Sequence, residues 1–184
     1  MSNSGPANSS TVNLQPIMGS FDNNGNILQL YGANGVPLTL NGMTGVTDGS
    51  NSAAGQVGEF VTSQVLIASA VSLTTDTPKN VTSISLTAGD WNVYGFVGFA
   101  PAASTSLTHT SGSISQVTNT LDVTAQQALT TPAIVPGATL EWSNTLPEAR
   151  ISLTATTTIY LVAHAIFTVS TLGAYGTISA RRMR

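Results

Sequence analysis

The sequence predicts an all-β protein, and three observations carry that expectation. Short runs rich in Val, Ile, Thr and aromatic residues recur between Gly, Pro and Asn turns, as strands do. Charged residues make up 7% of the chain, with 27 Thr and 21 Ser wetting the surface in their place; an ordinary soluble domain carries about 25% charged residues. No helix-length amphipathic stretch rich in Ala, Leu, Glu and Lys occurs. With 184 residues, 41% of them hydrophobic, the chain is long enough to bury a core. Roughly eight to ten short strands with turns between them have the spacing of a sandwich or barrel.

Residues 1–45 read as an extended amino-terminal arm with short hairpins. The first thirteen positions are polar. Asn24-Gly25 and Asn34-Gly35 then sit between short apolar stretches, the strongest local hairpin signal. Hairpins this short bury too little surface to stand alone. They read either as a fibre neck wound with other copies or as an arm laid over a neighbour. Leu14, Ile17, Phe21, Ile27, Leu30, Leu38 and Leu40 are the side chains such an arm offers to an anchoring partner. Asp22-Asn23-Asn24-Gly25-Asn26 is rich in oxygen but lacks the closing acid of an EF-hand loop, so an Asx turn explains it better. Residues 46–58, small and polar, form a linker.

The head is expected over 59–184, with strands near 60–67, 71–74, 81–87, 91–99 and 110–118, a weak run at 121–125, and further strands near 138–142, 151–153, 159–169 and 175–180. In the fourth of these, Trp91, Val93, Gly95, Val97 and Phe99 share one face while Tyr94 and Phe96 lie on the other. The run 159–169 is apolar on both faces, and such a strand is covered twice, by a second sheet or by another subunit. The chain then ends in its one basic cluster, Arg181, Arg182 and Arg184. This tail is either a solvated end or a set of forks for acids on a neighbouring subunit. The scarcity of other charges to set a register favours the second, with Arg150 in the same network.

Composition excludes several functions. Net charge is −3 and no Lys or Arg precedes Lys79, so general nucleic-acid binding lacks its basic face. Cysteine is absent, which removes disulfides and thiolate metal sites. The amino terminus has neither basic start nor apolar core, so no signal peptide is expected, and no run of about 18 apolar residues is present to span a membrane. Synthesis in the cytoplasm, with any work outside following lysis or transport in a particle, is the expectation.

Catalytic candidates are few. His164 shares a face with Tyr160, Val162 and Ile166 and has no carboxylate near it in sequence, so it reads as a satisfied core or interface histidine, pH-sensitive if it lies near a three-fold axis. His109 falls in a Ser/Thr loop and reads as a surface residue. The eight carboxylates all sit in turns or at strand ends. Glu141 with Glu148 is an imaginable glycosidase pair, but neither stands in a motif. There is no Gly-x-Ser-x-Gly, no phosphate-binding loop and no dinucleotide fingerprint. The sequons at Asn8 and Asn80 mean nothing without a secretory signal. The expectation is a protein that is not an enzyme and takes no cofactor or metal.

From about Val46 to Arg184 the chain resembles small proteins on the surface of tailed bacteriophages, variously tail-fibre, head-fibre or capsid-decoration proteins. The blocks that carry the resemblance are Gln56-Val57-Gly58-Glu59-Phe60, then Ile84-Ser85-Leu86-Thr87-Ala88-Gly89-Asp90-Trp91-Asn92-Val93, then the stretch 150–184. The resemblance implies a homotrimer of jelly-roll-like β-sandwich heads, similar in logic to C1q and tumour-necrosis-factor heads, with no active site. Trp91, Tyr94, Phe96, Tyr160, Val162, His164, Ile166, Arg181, Arg182 and Arg184 are the expected trimer interface. Expected partners are its own copies, other virion proteins and a host surface glycan reached through residues 100–107 and 125–136, with no nucleic acid and no membrane insertion. Located on the virion, such a protein serves as a fibre anchored by its arm and aiding adsorption, or as a decoration protein bridging capsomers. A virion-associated glycan hydrolase is the alternative of a different class.

Overall fold

A computed structural model describes residues 49–124, 127–130 and 141–184, together with Ser20–Phe21 and Ile27–Gln29. The chain divides into two compact units, Met1–Thr47 and Asp48–Arg184. In the first, β1 (Ser20–Phe21) pairs antiparallel with β2 (Ile27–Gln29), the hairpin that the first Asn-Gly signal predicts. Phe21 and Ile27 of the proposed anchor lie in these strands. Leu14, Ile17, Leu30, Leu38, Leu40 and the second hairpin lie outside the described residues.

The second unit is a sandwich of two antiparallel sheets. Its strands are β3 (Phe60–Val65), β4 (Val71–Ser72), β5 (Lys79–Leu86), β6 (Gly89–Pro101), β7 (Ser106–Ser115), β8 (Gln127–Thr130), β9 (Trp142–Leu153), β10 (Thr157–Thr168) and β11 (Leu172–Arg182), with one 3-10 turn at Ile67–Ser69. The first sheet runs β3-β11-β6-β9, with β4 also on β11, and the second runs β5-β10-β7-β8. Most connections therefore cross from one sheet to the other, those from β3 to β4 and from β7 to β8 excepted, which is the jelly-roll way of closing a double sheet. The Ser63 and Thr82 hydroxyls, 2.6 Å apart, tie β3 to β5 along one side.

Period-two patterning decides what fills the space between the sheets. Trp91, Val93, Val97 and Phe99 of β6 and Ile178, Ala174 and Ala180 of β11 have no exposure, and they meet Ile159, Leu161, Ala163 and Ala165 of β10, Leu86 of β5 and Ile114 of β7, all equally enclosed. Each larger side chain of this set contributes about 1.5–3 kcal/mol on leaving water. Phe99 stacks on Trp142 with centroids 5.7 Å apart.

The strand map departs from sequence expectation where edges and bulges override propensity. The weak run at 121–125 is irregular through its described part, and the edge strand forms later, as β8. β9 is much longer than the expected 151–153 because Pro147 does not stop it. Val93 pairs with Ala149 and Gly95 with Leu146, so Pro147 and Glu148 together oppose Tyr94 as a bulge. A bulge on an edge strand is where a sheet tolerates proline.

Candidate functional site

Sheet twist and pleat leave two outer faces, and the chain treats them differently. On the second sheet, Tyr160, Val162, His164 and Ile166 of β10 alternate with the core residues. Here the chain's own connections supply cover. The Asp122 N–H donates to Ser113 Oγ at 3.1 Å, and the Asp76 N–H donates to the Ala165 carbonyl at 2.8 Å. Val162, Ser111 and Ser113 on this face have no exposure, while Ile166 keeps 37%.

The outer face of the first sheet is different. In the register of β11 on β6, Ser179 lies opposite Tyr94, Thr177 opposite Phe96 and Tyr175 opposite Gly98. Tyr94, Phe96, Thr177 and Ser179 line an open groove of ≈ 490 Å³ with Ser143 and Thr145 of β9. Among the described residues no charged side chain lines it. Tyr94 is 39% exposed. Phe96 meets Tyr175 edge-on at 6.5 Å, and Tyr175 lies across Gly98, where any Cβ would come within 2.3 Å of its ring. Burial, with the Glu141 charge nearby, pushes the Tyr175 hydroxyl up from its ordinary pKa. Thr62 and Ser179 share a hydroxyl bond of 2.9 Å, and the groove floor is aromatic and hydroxyl.

Charge gathers at one end of this sheet. Arg150 forks onto Asp90, with Nε at 2.9 Å and Nη2 at 2.8 Å, and Arg184 Nε reaches the same carboxylate at 2.9 Å. The hydrogen bond from Arg150 acts against the cost of burial, and Ser152 and Arg184 add to it, so Asp90 is held at about 2. Asp90 in turn raises Arg150. Arg182 turns inward instead. It is 4% exposed, pairs with Glu59 at 2.9 Å, donates to the Ala88 carbonyl at 2.8 Å and to the Thr87 hydroxyl, and covers the Trp91 ring at 4.3 Å. Burial pushes the Glu59 carboxyl up, but the Gly55 N–H and Arg182 together outweigh it and leave its pKa below the ordinary value. Gly89, at φ 146°, makes room: a Cβ there would meet Arg182 Nη1 at 1.9 Å.

The ten expected interface residues therefore separate. Tyr94, Phe96 and Arg181, the last over the Phe60 ring at 5.8 Å, belong to the first sheet's outer face. Tyr160, Val162, His164 and Ile166 belong to the opposite side of the sandwich. Trp91 and Val162 have no surface to offer a partner. Arg182 finds its acid within its own chain and is enclosed there, which corrects the expectation of an intersubunit pair for that residue, while Arg184 reaches Asp90 within the chain and stays largely exposed. The sequence could not show this, because Glu59 and Asp90 are distant from the tail until β11 lies between β3 and β6.

His109 is not in a loop but in β7, half-buried and edge-on to His164. Glu141 and Glu148 do not form a hydrolytic pair. Glu141 immediately precedes β9 and Glu148 lies within it, so seven positions of extended chain separate them by roughly 23 Å at ~3.3 Å per residue, whereas a glycosidase pair lies ~5–9.5 Å apart. Glu148 accepts instead from the Asn92 amide. Among the described residues no group of three or more His, Asp or Glu is placed to hold a metal ion.

No family model and no curated protein matches the chain. Among solved structures, that of the infectious bursal disease virus Gx strain aligns with 77% of this chain and 36% of its own at 9% identity and TM-score 0.41. The infectious bursal disease virus VP2 subviral particle aligns with 68% of this chain and 30% of its own at 13% identity and TM-score 0.32. The chain thus spans about a third of the length of the proteins it matches, and its fold assignment rests on its own strand order.

Proposed function

We propose that this protein is a structural component of a bacteriophage virion surface, a homotrimeric fibre-like protein anchored through its amino-terminal arm, with the sandwich as a projecting head that aids host adsorption. The observation that carries the reading is the outer face of the first sheet. It presents Tyr94, Phe96 and Tyr175 among hydroxyls with no charge across its middle, in a position where the described residues supply no cover comparable to that on the other sheet. Aromatic residues and a lack of charge characterise the buried centre of protein interfaces. Exposed Arg181 and Glu148 lie outside the groove, as a polar rim would. The phage-like blocks around Glu59, Asp90 and the carboxy terminus point the same way.

Sedimentation of the full chain at micromolar concentration tests the trimer: three times 18.8 kDa is expected, and a monodisperse monomer ends the proposal. Electron microscopy of labelled particles then separates the roles. Density projecting from the particle supports a fibre, whereas density lying along the shell between capsomers replaces it with a decoration protein.

A further inference from the structure

The chain has two histidines, and the fold brings both to one spot. β7 runs beside β10 with Ile166 opposite His109 and His164 opposite Ser111. The two imidazoles meet edge to face, with centroids 5.6 Å apart at 67°. His164 Nδ1 stands 3.4 Å from the Ser111 hydroxyl and Nε2 stands 3.2 Å from the Asp76 carboxylate. Asp76 itself belongs to a tight turn, with φ 56°, closed by a bridge between Thr74 and Thr77. Its N–H donates to the Ala165 carbonyl at 2.8 Å, and the Phe167 N–H donates to Thr75 Oγ1 at 3.0 Å. Backbone bonds and the histidine contact thus fasten one turn onto β10. The Asp-His-Ser sequence of contacts is not a nucleophile relay, because Ser111 has no exposure through which a substrate could reach it.

We propose that His109, His164 and Asp76 form an acid-operated clasp, which holds the turn at residues 74–78 on the second sheet at neutral pH and loosens it when both rings are charged. One proton on the pair is matched by Asp76. A second must sit on a partly enclosed ring beside a ring already charged, with one carboxylate shared between them. Burial, then the neighbouring His164, hold His109 below its ordinary value, and Asp76 offsets this only in part. For a base held down in the folded chain, the unfolded chain binds the proton first. Its stabilising contribution is therefore complete above the ordinary value of 6.5 and is lost as pH falls below it. The other charges on neighbouring segments are engaged elsewhere. Lys79 Nζ donates to the Ser72 carbonyl at 3.0 Å, and the Asp122 carboxylate accepts from the Thr124 N–H at 2.9 Å. β8 and residues 131–140 carry no titratable side chain.

The test is carbon–proton NMR of the two histidine rings in the full chain, with hydrogen exchange of the Asp76 amide measured between pH 8 and 5 and corrected for intrinsic rate. His109 should charge below its ordinary value, and Asp76 protection should fall at least tenfold as it does so. His109→Gln should keep that protection to pH 5, and Asp76→Asn should move the His109 step lower still. Titration of the His109 ring at its ordinary value overturns the proposal. So does turn protection that ignores the His109 step, and neither result needs a variant that folds. The readout is local to one chain, so it stands or fails apart from the trimer.

Discussion

Arg182 shows how a residue's role depends on which charges reach it. As one of three arginines at a chain end it has the look of a solvated or intersubunit group, yet it is enclosed against Glu59, Trp91 and Gly89. Removing one partner of such a pair leaves a buried charge without compensation, which costs on the order of 3 kcal/mol. Arg182→Met should therefore lower the denaturant midpoint markedly, and Glu59→Gln with Arg182→Met should cost less than the sum of the single changes. A double-mutant cycle in urea reads this, and strict additivity would show that the pair does not act as a unit. Asp90 supplies a second residue-scale outcome. Its folded value of about 2 lies below the ordinary 3.8, so its contribution is complete above about pH 4 and is lost as pH falls through 2. Asp90→Asn should flatten the acid limb of the stability curve in that window, as followed by circular dichroism between pH 5 and 1.5.

At the scale of the element, the alternation along β6 was legible from sequence because a period of two leaves no other way to divide Trp91, Val93, Val97 and Phe99 from Tyr94 and Phe96. The double apolarity of β10 was legible too, but not what covers its second face, since the turn at 74–78 and the segment at 116–124 are remote in sequence. The long β9 was hidden by Pro147, which reads as a stop unless the bulge opposite Tyr94 is known. The pairing of Tyr175 with Gly98 is likewise a cross-strand fact. It leads to a prediction: Gly98→Ala must push the Tyr175 ring off the sheet, since the added carbon would lie 2.3 Å from it. The raised Tyr175 hydroxyl should then titrate closer to its ordinary value in an ultraviolet pH titration. An unchanged curve would mean that the ring keeps its environment despite the methyl group.

For the whole molecule, the economy of charge acquires a physical reading. Three separate stretches of the sequence, 56–60, 84–93 and 150–184, converge at one end of the first sheet: Glu59 from the first, Gly89, Asp90 and Trp91 from the second, and Arg150, Arg182 and Arg184 from the third. There they bind the last strand of the sandwich to the approach to its first strand at Glu59 and leave the middle of the sheet free of charge among the described residues. Loss of the last four residues should thus weaken the fold itself before it weakens any assembly. The test of assembly belongs on the open face. Tyr94→Glu with Phe96→Glu places two carboxylates in the groove without entering the core, since both side chains point outward. In a buried intersubunit contact each aromatic is a hot-spot candidate worth about 2 kcal/mol or more, so the pair should weaken association by roughly a thousandfold. The variant should sediment as a monomer at micromolar concentration while its thermal unfolding as a monomer stays cooperative. A variant that remains trimeric would move the interface to Tyr160 and Ile166 on the opposite sheet, because those are the expected contact residues of that sheet that retain exposure.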